Sequence, residues 1–225
     1  MNTKDRIIDM ALRLFNDMGT SAISTNHIAD ALEMSPGNLY YHFHNKEEII
    51  RAILERMLER RKEVYALPAD RPRTLADLQR MVQGNFSLLW DYRFFYRELN
   101  ALMQKDAVLK ERYQAIRWQG LAHFETLFHR FVTAGVLRMP ADSASISDLA
   151  RICWLISDYW LPFIELDDEH VVTEHMQRGI HLVMQALRPY MSEAAQADFA
   201  WSDPAVHDRQ ADAVEPKSIS SSPQG

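Results

Sequence analysis

Apolar residues recur at spacings of three and four through most of this chain, and no stretch alternates with a period of two. The pattern predicts an all-α protein. Ile7, Ile8, Ala11, Leu12, Leu14, Phe15 and Met18 define a first helix over residues 3 to 18, closed by Gly19. Ile28, Ala29 and Leu32 then give a two-turn helix behind Ser24 and Thr25, both good N-cap residues. After a turn at Glu33-Met34, Ser35 caps another short helix whose first position is Pro36, where a missing N–H costs nothing. Leu39 and Phe43 point inward from it, which leaves Gly37, Asn38, Tyr40, Tyr41 and His42 outward. Asn45 caps a fourth helix from Lys46 to about Tyr65, with Ile49, Ile50, Ile53, Leu54, Met57, Leu58 and Val64 inward. This helix is long enough to leave the first unit and enter a second.

Residues 66 to 73, with two prolines, read as a connector. The pattern then predicts a helix from Thr74, with Asp77 three residues on, to Trp90, a break at Asp91-Tyr92, and a helix over 93 to 103. A long helix follows from Asp106 to about Val136, with Gly135 and Pro140 closing that segment. Another helix starts at Asp142 or Ser145 and runs through Trp154 and Trp160, where Pro162 kinks or ends it. A last long helix spans about 172 to 187, ahead of Pro189. Residues 192 to 200 have room for a turn or two. Residues 201 to 225, rich in Pro and Ser, read as a disordered tail. The expected organisation is therefore a first helical unit over 1 to 64, a larger helical domain over 65 to 200, and the tail.

Composition changes this picture little. With 225 residues the chain can hold two units with real cores, and 7 glycines suit a helical protein. No signal-peptide pattern opens it, and charges or prolines break every apolar run before the roughly 20 residues a membrane span needs, so the expectation is a cytoplasmic protein with no membrane partner. Cys153, the single cysteine, lies among apolar neighbours and reads as core. The net charge of −6 does not exclude nucleic acid, because residues 1 to 66 hold nine basic against ten acidic side chains. Any basic surface there must be local, with Lys4, Arg6 and Lys46 beside the outward Tyr-Tyr-His face. Arg51, Arg56, Arg60, Arg61 and Lys62 alternate with glutamates, as a solvated helix face does, with pairs such as Glu47–Arg51.

Two short helices at a tight turn with a third directly following are a helix-turn-helix, and the outward face of the second presents hydrogen-bond donors suited to a DNA groove. At Ile28-Ala29, Ser35, Gly37-Asn38-Leu39-Tyr40-Tyr41-His42-Phe43 and Lys46-Glu47 the chain resembles the TetR family of bacterial transcriptional repressors, over roughly residues 3 to 64. The resemblance implies a three-helix DNA-binding unit, followed by helices around a pocket whose ligand drives the DNA-binding units apart. It also implies a double-stranded operator built as an inverted repeat, with Pro36, Gly37, Asn38 and Tyr40 on bases and Thr25, Tyr41, His42 and Lys46 on phosphates. Asn26 and Ser35 complete the expected DNA-binding set. The family usually has Gly where this chain has Glu33, so the turn either differs in geometry or carries strain.

Aromatic residues crowd the helices after the connector. They pack a core or line an apolar cavity, and the resemblance favours the cavity, with Trp90, Phe94, Phe95, Trp118, Phe124 and Phe128 as candidates for a small, largely apolar or aromatic effector. Arg97, Gln104, Arg117 and His123 are candidates for its polar contacts, or else face solvent. Metal is not expected. His170 and His175, near Asp167, Asp168, Glu169 and Glu174, do not share a helix face, and His42 belongs to the DNA-facing motif. No catalytic motif appears and no cofactor is expected, which points to a regulator. The alternative is a helical ligand-binding protein or enzyme that keeps the helix-turn-helix only as a packing unit. One such motif reads too little DNA to compete with a genome, so a twofold homodimer is expected. The helices at about 145 to 163 and 172 to 188 are its expected surface, with Ile152, Leu155, Tyr159, Trp160, Ile180, Val183 and Leu187 facing the partner, unless they close the domain's own core.

Overall fold

The computed structural model describes residues 2–66, 71–138, 144–166 and 173–199, and among these it is helical. The first helix, α1 (Thr3–Ala22), is capped by Asn2 and interrupted at Gly19, whose φ of +76° ends the regular run and leaves one further turn. Met18, expected inward, is exposed. It lies in the last regular turn before the break at Gly19. Next come α2 (Thr25–Ala31) and α3 (Pro36–His42), capped by Ser24 and Ser35 as the sequence requires. Between them Glu33 stands at φ +53°. The turn keeps the left-handed geometry that glycine would adopt, and Glu33 bears the strain.

The fourth helix, α4 (Lys46–Tyr65), starts at the Asn45 cap and is shared by both halves of the molecule. Its first turns bury Ile49, Ile50 and Ile53 among the apolar faces of α1 to α3, where Ile7, Phe15, Ile28 and Leu39 are also buried. Beyond Met57 it lies on α5 (Leu75–Asp91), whose start is held by a reciprocal cap between Thr74 and Asp77. Two short helices, α6 (Arg93–Arg97) and α7 (Leu99–Lys105), replace the single helix expected over 93 to 103. The long α8 (Ala107–Thr133) follows, capped by Asp106. Gly135 at φ +74° ends that segment.

The helix α9 (Ala144–Ile164) continues past Pro162, which does not end it, and α10 (Thr173–Leu187) packs on α9 and on α5. Close approach at this packing needs Gly179, where a Cβ would come within 2.3 Å of Phe86 and 2.6 Å of Trp160. A 3₁₀ turn (Arg188–Tyr190) and α11 (Glu193–Asp198) end the described chain. They are tied back to the end of α8 by Arg138 N–H to Tyr190 O at 2.6 Å and Ser192 N–H to Val136 O at 3.0 Å. The acidic and histidine stretch at 167 to 170 and the tail from 201 to 225 lie outside the described residues.

The basic residues of α4 correct one expectation. Arg51 bonds Asp106 at 2.5 Å rather than Glu47, Arg56 meets Asp5 and Asp9, and Arg60 meets Asp91 at 2.9 Å. Lys62 alone keeps the solvated, within-helix character expected of the cluster, and its partner Glu59 is three residues away rather than four. Because α4 is covered by α1 on one side and by α5 and the start of α8 on others, these arginines reach across to neighbouring helices. The sequence showed the charges but not the neighbours.

Candidate nucleic-acid interface and effector domain

Every local device that sets α3 at the surface is in the sequence itself. Ser35 Oγ accepts from Asn38 N–H at 3.2 Å, Pro36 occupies the first turn, and Leu39 and Phe43 are buried beneath. Gly37, Asn38, Tyr40 and Tyr41 are exposed, Tyr41 at 83%, while His42 is half-buried with its ring 5.2 Å from that of Tyr41. At the start of α2, Asn26 is exposed, and Thr25 Oγ1 lies 3.1 Å from Tyr40 Oη, a bond that fixes α2 and α3 relative to each other. Lys4 places its ammonium 5.3 Å from the Phe43 ring, which brings one cation to the end of α3.

Lys46 is placed differently from a free phosphate ligand. Its ammonium donates to the carbonyls of Thr20 and of Ile23, the latter at 2.8 Å, and so closes the link between α1 and α2. Burial, with Lys105 nearby, holds its pKa below the ordinary lysine value. One of its three protons remains for an outside acceptor.

The first unit is joined to the second by α1 as well as by α4, which sequence reasoning missed. Asn16 gives its amide to Asp91 O at 2.8 Å and accepts from Phe94 N–H at 3.1 Å, while Thr20 donates its backbone N–H at 2.8 Å, and its hydroxyl, to Glu98. Phe15 packs on Phe94 with ring centroids 5.3 Å apart. The available signal was two polar residues, Asn16 and Thr20, one turn apart on the buried side of an amphipathic helix. Such residues need partners from elsewhere in the fold.

The expected effector residues do not gather in one place. Trp118 is 76% exposed on the outer face of α8, so it lines no cavity in this chain. Phe94 and Phe95 are closed into the core at the junction with α1, and Trp90 is half-buried beneath the Arg93 guanidinium. Arg97 is likewise at that junction, bonded to Glu165 and to Asn16 O. Phe124 and Phe128 do border open space, a small cavity also lined by Tyr65, Asn85, Phe86 and Ser157. Beside it a second cavity is bounded by Arg61, Tyr96, Trp154 and Asp158. A larger groove of about 590 Å³ lies between α4 and α8, bordered by Arg61, Tyr65, Arg112, Gly120 and His123. Arg61 borders the groove and one inner cavity, and Tyr65 borders the groove and the other.

Within this region Asp158 is buried and accepts from Tyr113 Oη and Trp154 Nε1, each at 2.7 Å. Burial raises its pKa, partly offset by those two donors and by the Arg61 charge. His123 is held below the usual histidine value by burial and by Arg61. Cys153 is buried, its thiol pushed up to about 12 by desolvation, which agrees with a core residue rather than a reactive one. Asp158 and Arg61 were both overlooked in the sequence. The first stands as one acid in the apolar run of α9, and the second was hidden in the alternating charges of α4.

The expected dimer surface is also redistributed. Trp160, Ile180, Val183 and Leu187 are buried in the chain's own core, where α9, α10 and α5 meet, so these four do not face a partner. Ile152, Leu155 and Tyr159 are exposed, and Phe163 and Leu166 extend the same apolar stripe along and beyond α9. On α9 the exposed stripe lies beside buried Trp160, whose ring stacks on that of Phe163 at 5.9 Å, while Ile180, Val183 and Leu187 belong to α10, a division that a helix apolar around most of its circumference conceals.

A capped helix-turn-helix rigidly joined to a larger helical domain defines a class of DNA-binding regulators, and comparison with known proteins identifies the family. Residues 7–53 match the family described as bacterial regulatory proteins, tetR family, and residues 55–199 match its bacterial transcriptional repressor domain. The chain belongs to the TetR family of bacterial transcriptional regulators. It is similar to a TetR-family regulator from Marinobacter aquaeolei VT8, with 32% identity, a TM-score of 0.79, and coverage of 93% of this chain and 98% of that one. It shares its fold with SmeT in complex with triclosan, at 21% identity and a TM-score of 0.62, over 86% of this chain and 93% of that one. Among curated relatives, the regulator QacR of Staphylococcus aureus is 46% identical over 54 residues, 24% of this chain and 29% of QacR. The chain thus spans less than a third of the length of that relative. Among the described residues no helix is long and apolar enough to cross a membrane.

Proposed function

We propose that this protein is a cytoplasmic, homodimeric, sequence-specific DNA-binding repressor that a small molecule releases from its operator. The observation that carries the reading is the α3 surface: Gly37, Asn38, Tyr40 and Tyr41 stand exposed on a helix fixed by its cap, its buried Leu39 and the Thr25–Tyr40 bond. In this reading residues 1 to 64 bind DNA and residues 65 to 200 bind the effector and the second copy. Pro36, Gly37, Asn38 and Tyr40 meet base edges, while Thr25, Asn26, Ser35, Tyr41 and His42 hold the backbone. Lys46 gives its remaining proton to a phosphate at the α4 N-terminus. Two copies related by a twofold axis through the exposed α9 stripe read an inverted repeat.

Effector and operator compete through the two joints. Ligand bound between α4 and α8 shifts α4 against α1, and the Asn16 and Thr20 bonds to the second domain transmit that shift to the first unit. A tenfold loss of DNA affinity requires about 1.4 kcal/mol of differential ligand binding between the two arrangements. The test is selection of bound sequences from random duplex DNA, followed by titration of the best one with wild type, Asn38→Ala and Tyr41→Ala. The expected outcome is an inverted repeat, a change of sequence preference with Asn38→Ala, and weaker binding to all sequences with Tyr41→Ala. Enrichment of no sequence would overturn the reading.

A further inference from the structure

Arg61 stands apart from the other arginines of α4. Arg51, Arg56 and Arg60 each bond a carboxylate, but among the described residues Arg61 has no carboxylate partner. Instead its guanidinium is held by rings, 4.6 Å from the centroid of Trp154, 5.6 Å from Tyr65 and 5.9 Å from Phe124. The backbone of α8 comes close at Gly120, where a Cβ would lie 2.4 Å from the Trp154 ring and 3.1 Å from Arg61 Nη2, so glycine is needed to leave this slot open.

The surrounding charges leave Arg61 as the dominant one facing the groove. Of the acids there, Glu55 is taken by Arg112 through two bonds at 2.6 and 2.8 Å, and Glu59 by Lys62 at 2.7 Å. Asp158, which borders the inner cavity with Arg61 and feels its charge, is bonded to Tyr113 and Trp154 and makes no hydrogen bond to the guanidinium. A guanidinium half-removed from water, positioned by flat rings and lacking a bonded acid, is arranged to accept a carboxylate from outside.

We infer that the groove between α4 and α8 binds a small organic carboxylate with a flat apolar body, its acid on Arg61 and its body against Tyr65, Ile116 and His123. This deepens the effector reading above and rests on it. The groove volume of about 590 Å³ accommodates a body of two fused rings. Because Arg61 sits in the last turns of α4, withdrawing it from the Trp154 face toward a ligand acid acts directly on the helix shared with the DNA-binding unit.

Calorimetric titration of the full chain with 2-naphthoate, 2-naphthamide and 2-naphthylmethylammonium tests this, alongside operator binding without ligand. Wild type is expected to bind the acid about 30-fold more tightly than the amide or the ammonium, a preference that falls below about threefold in Arg61→Gln and survives in part in Arg61→Lys. Equal binding of acid and amide, tighter binding of the ammonium, or no binding of any probe at about 1 mM would overturn the inference. Operator binding that persists through any of those results leaves the DNA-binding reading standing. Its absence in wild type would sink that reading and this one with it.

Discussion

Among the described residues two surfaces each carry a pair of exposed aromatic side chains, and they differ in what lies around the rings. On α3, Tyr40 and Tyr41 rise from Gly37, Asn38 and Ser35, and Tyr40 has a hydroxyl partner in Thr25. On α9, Tyr159 and Phe163 stand with Ile152 and Leu155 on one helix face. The first surface is donor-rich and narrow, suited to phosphates and base edges. The second is continuous and apolar, the kind of patch that on a soluble protein marks a partner protein. Exposure of an aromatic ring therefore says little by itself. Its neighbours at three and four residues decide whether its surroundings suit nucleic acid or an apolar partner.

The comparison breaks most visibly at the apolar surface. Charge placed there by Leu155→Glu with Phe163→Glu is expected to separate the two chains of the proposed dimer without unfolding them, because both side chains are exposed, Leu155 at 54%. Each separated chain then reads one half-site, and operator affinity should fall at least about a hundredfold at physiological salt. Sedimentation and operator titration measure both effects. Variants that remain dimeric and bind normally would show that the dimer forms elsewhere.

At the donor-rich surface Lys46 connects DNA binding to stability. Lys46→Ala strands two carbonyls, of Thr20 and Ile23, that its ammonium satisfies, and the expected destabilisation is about 1 to 3 kcal/mol by denaturant titration. The same variant should bind every DNA sequence more weakly and reduce the slope of log affinity against log salt by about one. A lowered slope with unchanged stability would mean that those two bonds contribute nothing, whereas lost stability with an unchanged slope would make Lys46 a fold residue alone.

How far such roles can be read in advance differs sharply between the halves of the chain. In α1 to α4 the caps Ser24, Ser35 and Asn45, the Pro36 position and the buried Leu39 and Phe43 are set by contacts within a few residues, so local rules found them. The face of α3 followed from the same spacing. In α5 to α10 the helices were legible apart from the division of 93 to 105 into α6 and α7, but their facing was not. Trp160 and Ile152 sit on one apolar helix, and only the position of α10 decides that one is core and the other surface. Trp118 and Arg61 misled for a similar reason. An aromatic residue in a rich segment stays outside if its helix face has no neighbour, and a cation in a charged cluster turns inward if rings are waiting across the gap.

A contrast of the same kind exists within the polar anchors, since Asp77 is fully buried where Lys46 is not. Its carboxylate receives Arg71 at 2.7 and 2.8 Å, Arg80 at 3.0 Å and the N–H and hydroxyl of Thr74. The Arg71 bonds first, and then those from Thr74, hold its pKa well below the usual carboxylate range against the cost of burial. A depressed acid stabilises the fold fully above its unfolded value, near 3.9, and progressively less as pH falls below it. Asp77→Asn should therefore cost about 1 to 3 kcal/mol at pH 7 and less at pH 3, when compared with wild type by thermal or urea unfolding. A cost independent of pH would assign the effect to shape or capping rather than to charge.

The smallest expected effect lies at the hinge between α2 and α3, where Glu33 takes a left-handed conformation that costs a residue with a Cβ about 1 kcal/mol. Glycine adopts the same angles without that cost, but it also has more freedom to lose on folding, which offsets part of the gain. Glu33→Gly should therefore stabilise by no more than about 1 kcal/mol, seen as a small rise in Tm. Because Met34 N–H already bonds Ala29 O at 3.0 Å and Ser35 already caps α3, the helix is held from both sides and its approach to DNA should not change. Equal operator affinity with slightly higher stability is the expected pair of results. A Glu33→Gly protein that gains stability but loses operator affinity would show that the strained turn sets the angle at which α3 meets the groove.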